Sequence, residues 1–123
     1  MSIEKTKNGD SRNLQGIVGG TLSSVQFVMS YLILGFDSQG ALTTLVWPEI
    51  TIGKEHYHFG DTDYRNELCE LIGKVVQTAQ VTEREEIVIT LENETQLLIP
   101  LRKASNPGER AIFAGPKHAL YVW

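Results

Sequence analysis

Ile17-Val18-Gly19-Gly20-Thr21-Leu22 has a counterpart 54 residues further on, Leu71-Ile72-Gly73-Lys74-Val75-Val76. Both stretches set an apolar pair before a glycine and end on apolar or β-branched residues. At the same offset Leu32-Ile33-Leu34 lies over Glu86-Ile87-Val88. After a slip of one residue, Phe36-Asp37-Ser38-Gln39-Gly40-Ala41-Leu42 lies over Leu91-Glu92-Asn93-Glu94-Thr95-Gln96-Leu97. Each half, 17–48 and 71–101, therefore reads as a three-stranded meander entered through a glycine. Strands this close in sequence pair most readily as antiparallel hairpins. The expected fold is α+β and mainly β: about eight strands in one or two antiparallel sheets, arranged as a sandwich or half-barrel, with one short helix between the halves.

Side-chain alternation sets the strands within each half. Val25, Phe27 and Met29 alternate with Gln26 and Ser30, the period of a half-buried strand. Residues 31–36 are almost continuously apolar, as in a strand covered on both faces, and Asp37-Ser38-Gln39-Gly40 ends them with turn chemistry. Residues 41–47 resume as a strand until Pro48 interrupts the ladder, and Ile50 and Ile52 mark a short continuation. Residues 62–72 read as the helix. Leu68, Leu71 and Ile72 share a face, Asp61, Thr62 or Asp63 can cap the start, and Gly73 stands where a left-handed cap would end it. Residues 75–81, 87–91 and 96–101 return as strands between glutamate-rich turns, and 110–123 close as a hairpin around Gly115-Pro116-Lys117-His118. Residues 1–13, almost all polar, read as a flexible tail before a single globular domain over 14–123.

Composition narrows the function. One cysteine, Cys69, excludes an intrachain disulfide and a four-cysteine zinc site. A net charge of -4 speaks against sequence-independent nucleic-acid binding. No apolar run approaches the roughly 18–20 residues that cross a bilayer, and no apolar stretch follows a basic start as in a secretory signal. The expected location is the cytoplasm.

The chemistry-bearing residues are few. His56 and His58, two apart on a strand, project to one face and could chelate a metal with Glu55, Asp61 or Asp63. The plainer reading is a strand with exposed imidazoles and buried Tyr57 and Phe59, so no metal and no cofactor are expected. Cys69 lies among Glu67 and Glu70, which disfavour a thiolate, and reads as a packing residue rather than a nucleophile. There is no nucleophile elbow, phosphate-cradling loop or dinucleotide fingerprint, and the chain is not expected to be an enzyme.

Charge is distributed unevenly. Residues 49–94 hold eleven acids against four bases, a net of −7, whereas residues 95–123 hold four bases against Glu109, a net of +3. An acidic stretch of this kind fits a basic protein partner, because complementary fields speed encounter and exclude wrong partners.

The second half also carries a resemblance. Leu71-Ile72-Gly73-Lys74-Val75, Ile87-Val88-Ile89-Thr90-Leu91-Glu92-Asn93, Leu97-Leu98-Ile99-Pro100 and the ending Ala114-Gly115-Pro116-Lys117-His118-Ala119-Leu120-Tyr121-Val122-Trp123 are similar to a family of small bacterial proteins, some encoded beside polymorphic or contact-dependent toxins. The likeness is close over about half the chain and looser over the rest, and it departs at Glu109-Arg110-Ala111-Ile112. It rests on turn glycines, strand apolars and a terminal tryptophan, so it carries over no catalytic residue. It implies an immunity protein, monomeric or weakly dimeric, that neutralises a cognate toxin by direct contact without touching nucleic acid or membrane. A nuclease toxin has a basic cleft, and carboxylates presented to it would stand in for phosphates. The expected contacts are Glu55, Asp61, Asp63, Glu67, Glu83, Glu85, Glu86, Glu92 and Glu94, with Tyr57, Phe59 and Tyr64 as apolar anchors. The other readings are a small metal-binding protein using His56 and His58, and a homodimeric β-module.

Overall fold

The computed structural model describes residues 6–8, 11–82, 84–102 and 110–123. In chain order they form β1 (Thr6–Asn8), α1 (Ser11–Leu14), β2 (Ser24–Val28), β3 (Tyr31–Gly35), β4 (Ala41–Thr44), β5 (Glu49–Ile52), β6 (Glu55–Tyr57), α2 (Tyr64–Cys69), β7 (Val76–Thr82), β8 (Glu86–Leu91), β9 (Thr95–Pro100), β10 (Ala111–Ala114) and β11 (Leu120–Val122). Two open sheets result, ordered β1-β11-β10-β4-β3-β2 and β6-β5-β9-β8-β7. All pairings are antiparallel except β1 with β11.

The meanders are where the alternation puts them, β2–β3–β4 in one sheet and β7–β8–β9 in the other. Leu32, Leu34 and Leu42 point inward from the first, and Ile87, Ile89, Leu91, Leu97 and Ile99 from the second, all 0% exposed. They belong to a single core between the sheets. Burying each such side chain contributes roughly 1.5–3 kcal/mol, which makes this facing layer the main source of stability. β3 alternates between buried and half-buried rather than being covered on both faces, because only one of its faces meets the other sheet. No described helix is long and apolar enough to cross a membrane.

The two halves meet around an approximate two-fold axis. Thr21 and Val75, 54 residues apart, face each other in an antiparallel bridge. The hydrogen bonds around them come in matched pairs. Gly19 N–H donates to the Val76 carbonyl and Gly73 N–H to the Leu22 carbonyl, both at 2.8 Å. Leu22 N–H donates to Lys74 (3.0 Å) and Val76 N–H to Gly20 (2.8 Å). Gly19 and Gly73 have φ of +88° and +99°, a conformation that side chains with a Cβ avoid. Gly73 therefore serves the junction between halves rather than capping α2, which ends at Cys69.

The one-residue slip lies earlier than the sequence alignment placed it. Val28 and Tyr31 close the β2–β3 hairpin over Met29 and Ser30, whereas Thr82 and Glu86 close β7–β8 over three residues. The extra residue moves the correspondence from 54 to 55, so Leu32, Leu34, Phe36 and Leu42 match Ile87, Ile89, Leu91 and Leu97. Met29, expected on the apolar face of β2, is in the turn and 98% exposed.

The halves are also interlocked. Ile50 and Ile52 do not continue β4. Pro48 has no N–H for the ladder, and residues 45–48 carry the chain across to the other sheet, where β5 pairs with β9 and turns back as β6. In the second half, β10 leaves the sheet of β9 and pairs with β4, followed by β11. Each half thus builds a meander and donates its hairpin to the meander of the other. The polar segment read as a tail is partly ordered: β1 pairs in parallel with β11, and α1 with the 3-10 turn Gln15–Ile17 lies along the edge strand β7, where the Gln15 side-chain amide donates to the Ala79 carbonyl (2.8 Å).

Thr44 is an exception to polar satisfaction. It is 0% exposed, and its hydroxyl oxygen has no hydrogen-bond partner among the described residues. A buried polar group without a partner costs about 1–3 kcal/mol. Thr44→Val keeps the shape and removes that cost, so it should stabilise the protein by about 1 kcal/mol in denaturant unfolding with the slope unchanged.

Candidate functional site: an acidic and aromatic face on the β5–β6 hairpin

The face is built from the exchanged hairpin and the start of α2. β5 and β6 are joined through Gly53 at φ +60° and Lys54. The chain then turns over residues 58–63. The Asp61 carboxylate accepts from the His58 N–H at 2.8 Å, and the Asp61 N–H returns to the His58 carbonyl at 3.0 Å. Asp61 is thus engaged in shaping the turn. Asp63 takes the position before α2, yet its carboxylate makes no capping hydrogen bond and stays exposed.

α2 spans Tyr64–Cys69, shorter than the expected 62–72. Leu68 and Leu71 are fully buried, but Ile72 lies beyond the helix and is 45% exposed. Cys69 is exposed rather than packed, because the two inward positions one turn apart are taken by Leu68 and Leu71. It borders an open groove of about 450 Å³ between α2 and the β8–β9 turn, together with Glu67, Glu70, Lys74 and Asn93.

Tyr64 is not a surface anchor. It is 1% exposed, and its hydroxyl donates to the Pro48 carbonyl at the crossing between sheets. Burial, then the Glu49 carboxylate, push its phenol well above the usual value near 10, with Arg65 opposing. The folded state therefore holds Tyr64 neutral while the unfolded chain ionises. The stability this confers is complete below about pH 10 and is lost as pH rises above that value towards the folded pKa. Tyr64→Phe should flatten the alkaline limb of the stability profile above about pH 10, while costing about 1 kcal/mol at neutral pH through the lost hydrogen bond.

Tyr57 marks the centre of the face. Its phenol is raised by partial desolvation first and then by Glu67, Glu55 and Asp63. Carboxylates from α2, β6 and the turn between them thus act on the same phenol. Beside them Phe59, 49% exposed, stacks on Trp47 with centroids 4.4 Å apart and planes 12° from parallel. Tyr64 meets Phe59 edge-on at 5.9 Å. The Arg65 guanidinium lies 5.5 Å from the Phe27 ring and 5.9 Å from that of Phe59, within cation–π range. Phe59, expected to be buried, is held flat on the surface by this stack. Trp47, Phe27 and Arg65 were not foreseen; a tryptophan directly before the strand-ending Pro48 was the available signal.

The other acids do not join this face. Glu92 accepts the Val75 N–H at 2.8 Å and so supports the junction between halves. Glu94 stands in the β8–β9 turn, whose backbone bonds Gly53. Glu85 accepts from Arg102 at 2.6 and 2.9 Å, and with Glu86 it lies at the other end of β8. Glu83 lies outside the described residues. The histidines make contacts of their own. His56 Nδ1 is 3.2 Å from the Thr51 hydroxyl, and His58 lies 3.9 Å from both Glu49 and Asp61. Among the described residues no three His, Cys, Asp or Glu side chains are grouped to hold a metal ion.

The internal symmetry supplies a reference for the face. Tyr57 lies opposite Ile50, and Tyr121 lies opposite Phe113 in the matching hairpin. The residues that correspond to Glu55 and Glu67 in the other half are Ala119 and Asn13. The two hairpins share their internal register but not their surroundings, since β1 pairs with β11 whereas β6 is the edge of its sheet. Comparison with known protein families, with curated proteins and with solved structures finds no match.

Proposed function

We propose that this protein is an immunity-type inhibitor that binds a basic toxin, of the nuclease class, through the face around Tyr57 in the cytoplasm of the producing cell. The observation that carries this reading is the difference in charge between the two corresponding hairpins. Ala119 and Asn13 stand at the matching positions of one half, so the hairpin's own register does not call for acids at Glu55 and Glu67 in the other. Glu67, Glu55 and Asp63 all act on the one Tyr57 phenol, and a face with that much negative charge favours a cationic partner. Phe59 adds a ring already immobilised by Trp47 and Arg65, so little side-chain entropy is lost when it is covered. The deciding experiment identifies the product of the adjacent gene and, where that is a basic toxin domain, mixes it with the purified protein. A one-to-one complex with loss of toxin activity is expected, and Phe59→Ala should weaken it about tenfold or more. Full toxin activity in the presence of excess protein would reject the reading.

A further inference from the structure

The interlocked halves have a property that does not depend on the proposed partner. Every contact that joins them is non-covalent except the single passage of the chain through residues 58–63. β5 recognises β9 over four register pairs, from Glu49 with Leu98 to Ile52 with Thr95. β10 recognises β4 over four more, from Ala111 with Thr44 to Ala114 with Ala41. The bridge at Thr21 and Val75, with its four hydrogen bonds, lies on the axis between them. None of these contacts depends on whether the two halves belong to one chain.

We propose that a second copy of this chain is a partner for each half: two molecules exchange halves about the turn 58–63 and form a two-fold dimer whose lobes each reproduce the monomer. The turn suits a hinge. Gly60 has φ +103° with open space around its α-carbon, and straightening six residues spans about 20 Å. The order of folding favours exchange as well. The meanders close locally, but β5 must find β9 and β10 must find β4 across much longer separations in the chain, and such contacts form late. At that stage a neighbouring molecule presents the same edges as the chain's own other half. Exchange of this kind keeps every native contact except those in the hinge.

The dyad itself provides the test. Thr21 and Val75 form the non-hydrogen-bonded type of antiparallel pair, with α-carbons about 4.5 Å apart, within disulfide range. The full-length chain carrying Cys69→Ser, Thr21→Cys and Val75→Cys is refolded at about 1 µM and at about 1 mM, then oxidised and run without reductant. A monomer closes this disulfide within one chain; an exchanged dimer closes two between chains. The ratio of linked dimer to monomer should rise about in proportion to concentration, close to a thousandfold over that range, because a bimolecular step competes with a unimolecular one. The unsubstituted chain, refolded alongside and sized on a column, guards against a folding defect from the new cysteines. A discrete dimer with native circular dichroism in both chains supports exchange. A monomer at both concentrations, or a ladder of larger species with no discrete dimer, overturns it.

Discussion

Gly40→Ala should lower stability by about 3–4 kcal/mol, enough to shift the melting temperature by roughly 10–20 °C in a domain of this size. Gly40 opens β4 at φ +126° and ψ −170°, a region essentially reserved for glycine. A methyl group there would stand 2.4 Å from the Ala114 carbonyl oxygen and 3.0 Å from the Gly115 α-carbon. Both are backbone atoms, so no side-chain rotation relieves the contact. They lie at the end of β10, the strand donated by the other half, so the substitution would push the exchanged hairpin off the sheet it completes. Gly53→Ala is the matched control. Its φ of +60° is in the left-handed well, and the nearest atom is Glu94 Oε1 at 4.0 Å; a loss of about 1 kcal/mol is expected. Thermal and denaturant unfolding of the two variants compare them directly. Equal, small losses would mean that β10 does not approach Gly40 as closely as described.

The second large effect concerns association. Replacing Glu55, Asp63 and Glu67 together by lysine changes the charge by two at each site, from -4 to +2 for the chain. The association rate with a basic partner should fall about 10- to 1,000-fold at low salt, with a smaller change near physiological ionic strength, since steering is screened within roughly 8–10 Å there. Reversing Glu85, Glu86 and Glu92 changes the net charge equally but places it at the other end of β8 and at the junction. Stopped-flow measurements over a salt series separate the two triples. If both slow association by the same factor, the partner responds to net charge and not to the Tyr57 face. Stability should be measured in parallel, because Glu92 and Glu85 hold hydrogen bonds in the fold.

Local pattern and tertiary choice divide what was legible in the sequence. The inward faces of β3, β8 and β9 follow from alternation, since Leu32, Leu34, Ile87, Ile89, Leu97 and Ile99 are all buried. The glycine at the start of each half was also readable, because Gly19 and Gly73 need positive φ. The exchange was not, because β4 and β9 present equivalent edges, and sequence does not reveal which hairpin occupies each. The same limit applies to the site. The net of −7 over residues 49–94 was plain, but β8 separates Glu85 and Glu86 from Glu92 and Glu94, and Asp61 is consumed in a turn. Tyr64 resembled its exposed neighbours in composition, and only the Pro48 carbonyl at the sheet crossing explains why it turns inward.

Hairpin exchange also governs how the native state opens. In a sheet made from one contiguous segment, that segment can detach and leave the remainder protected. Here β4 lies between β3 of its own half and β10 of the other, and β9 lies between β8 and β5. Releasing either hairpin uncovers an edge in the opposite half, so neither hairpin can open without stripping protection from the other half. The amides of β4 and β9 should therefore exchange with solvent hydrogen at one common free energy, close to that of global unfolding.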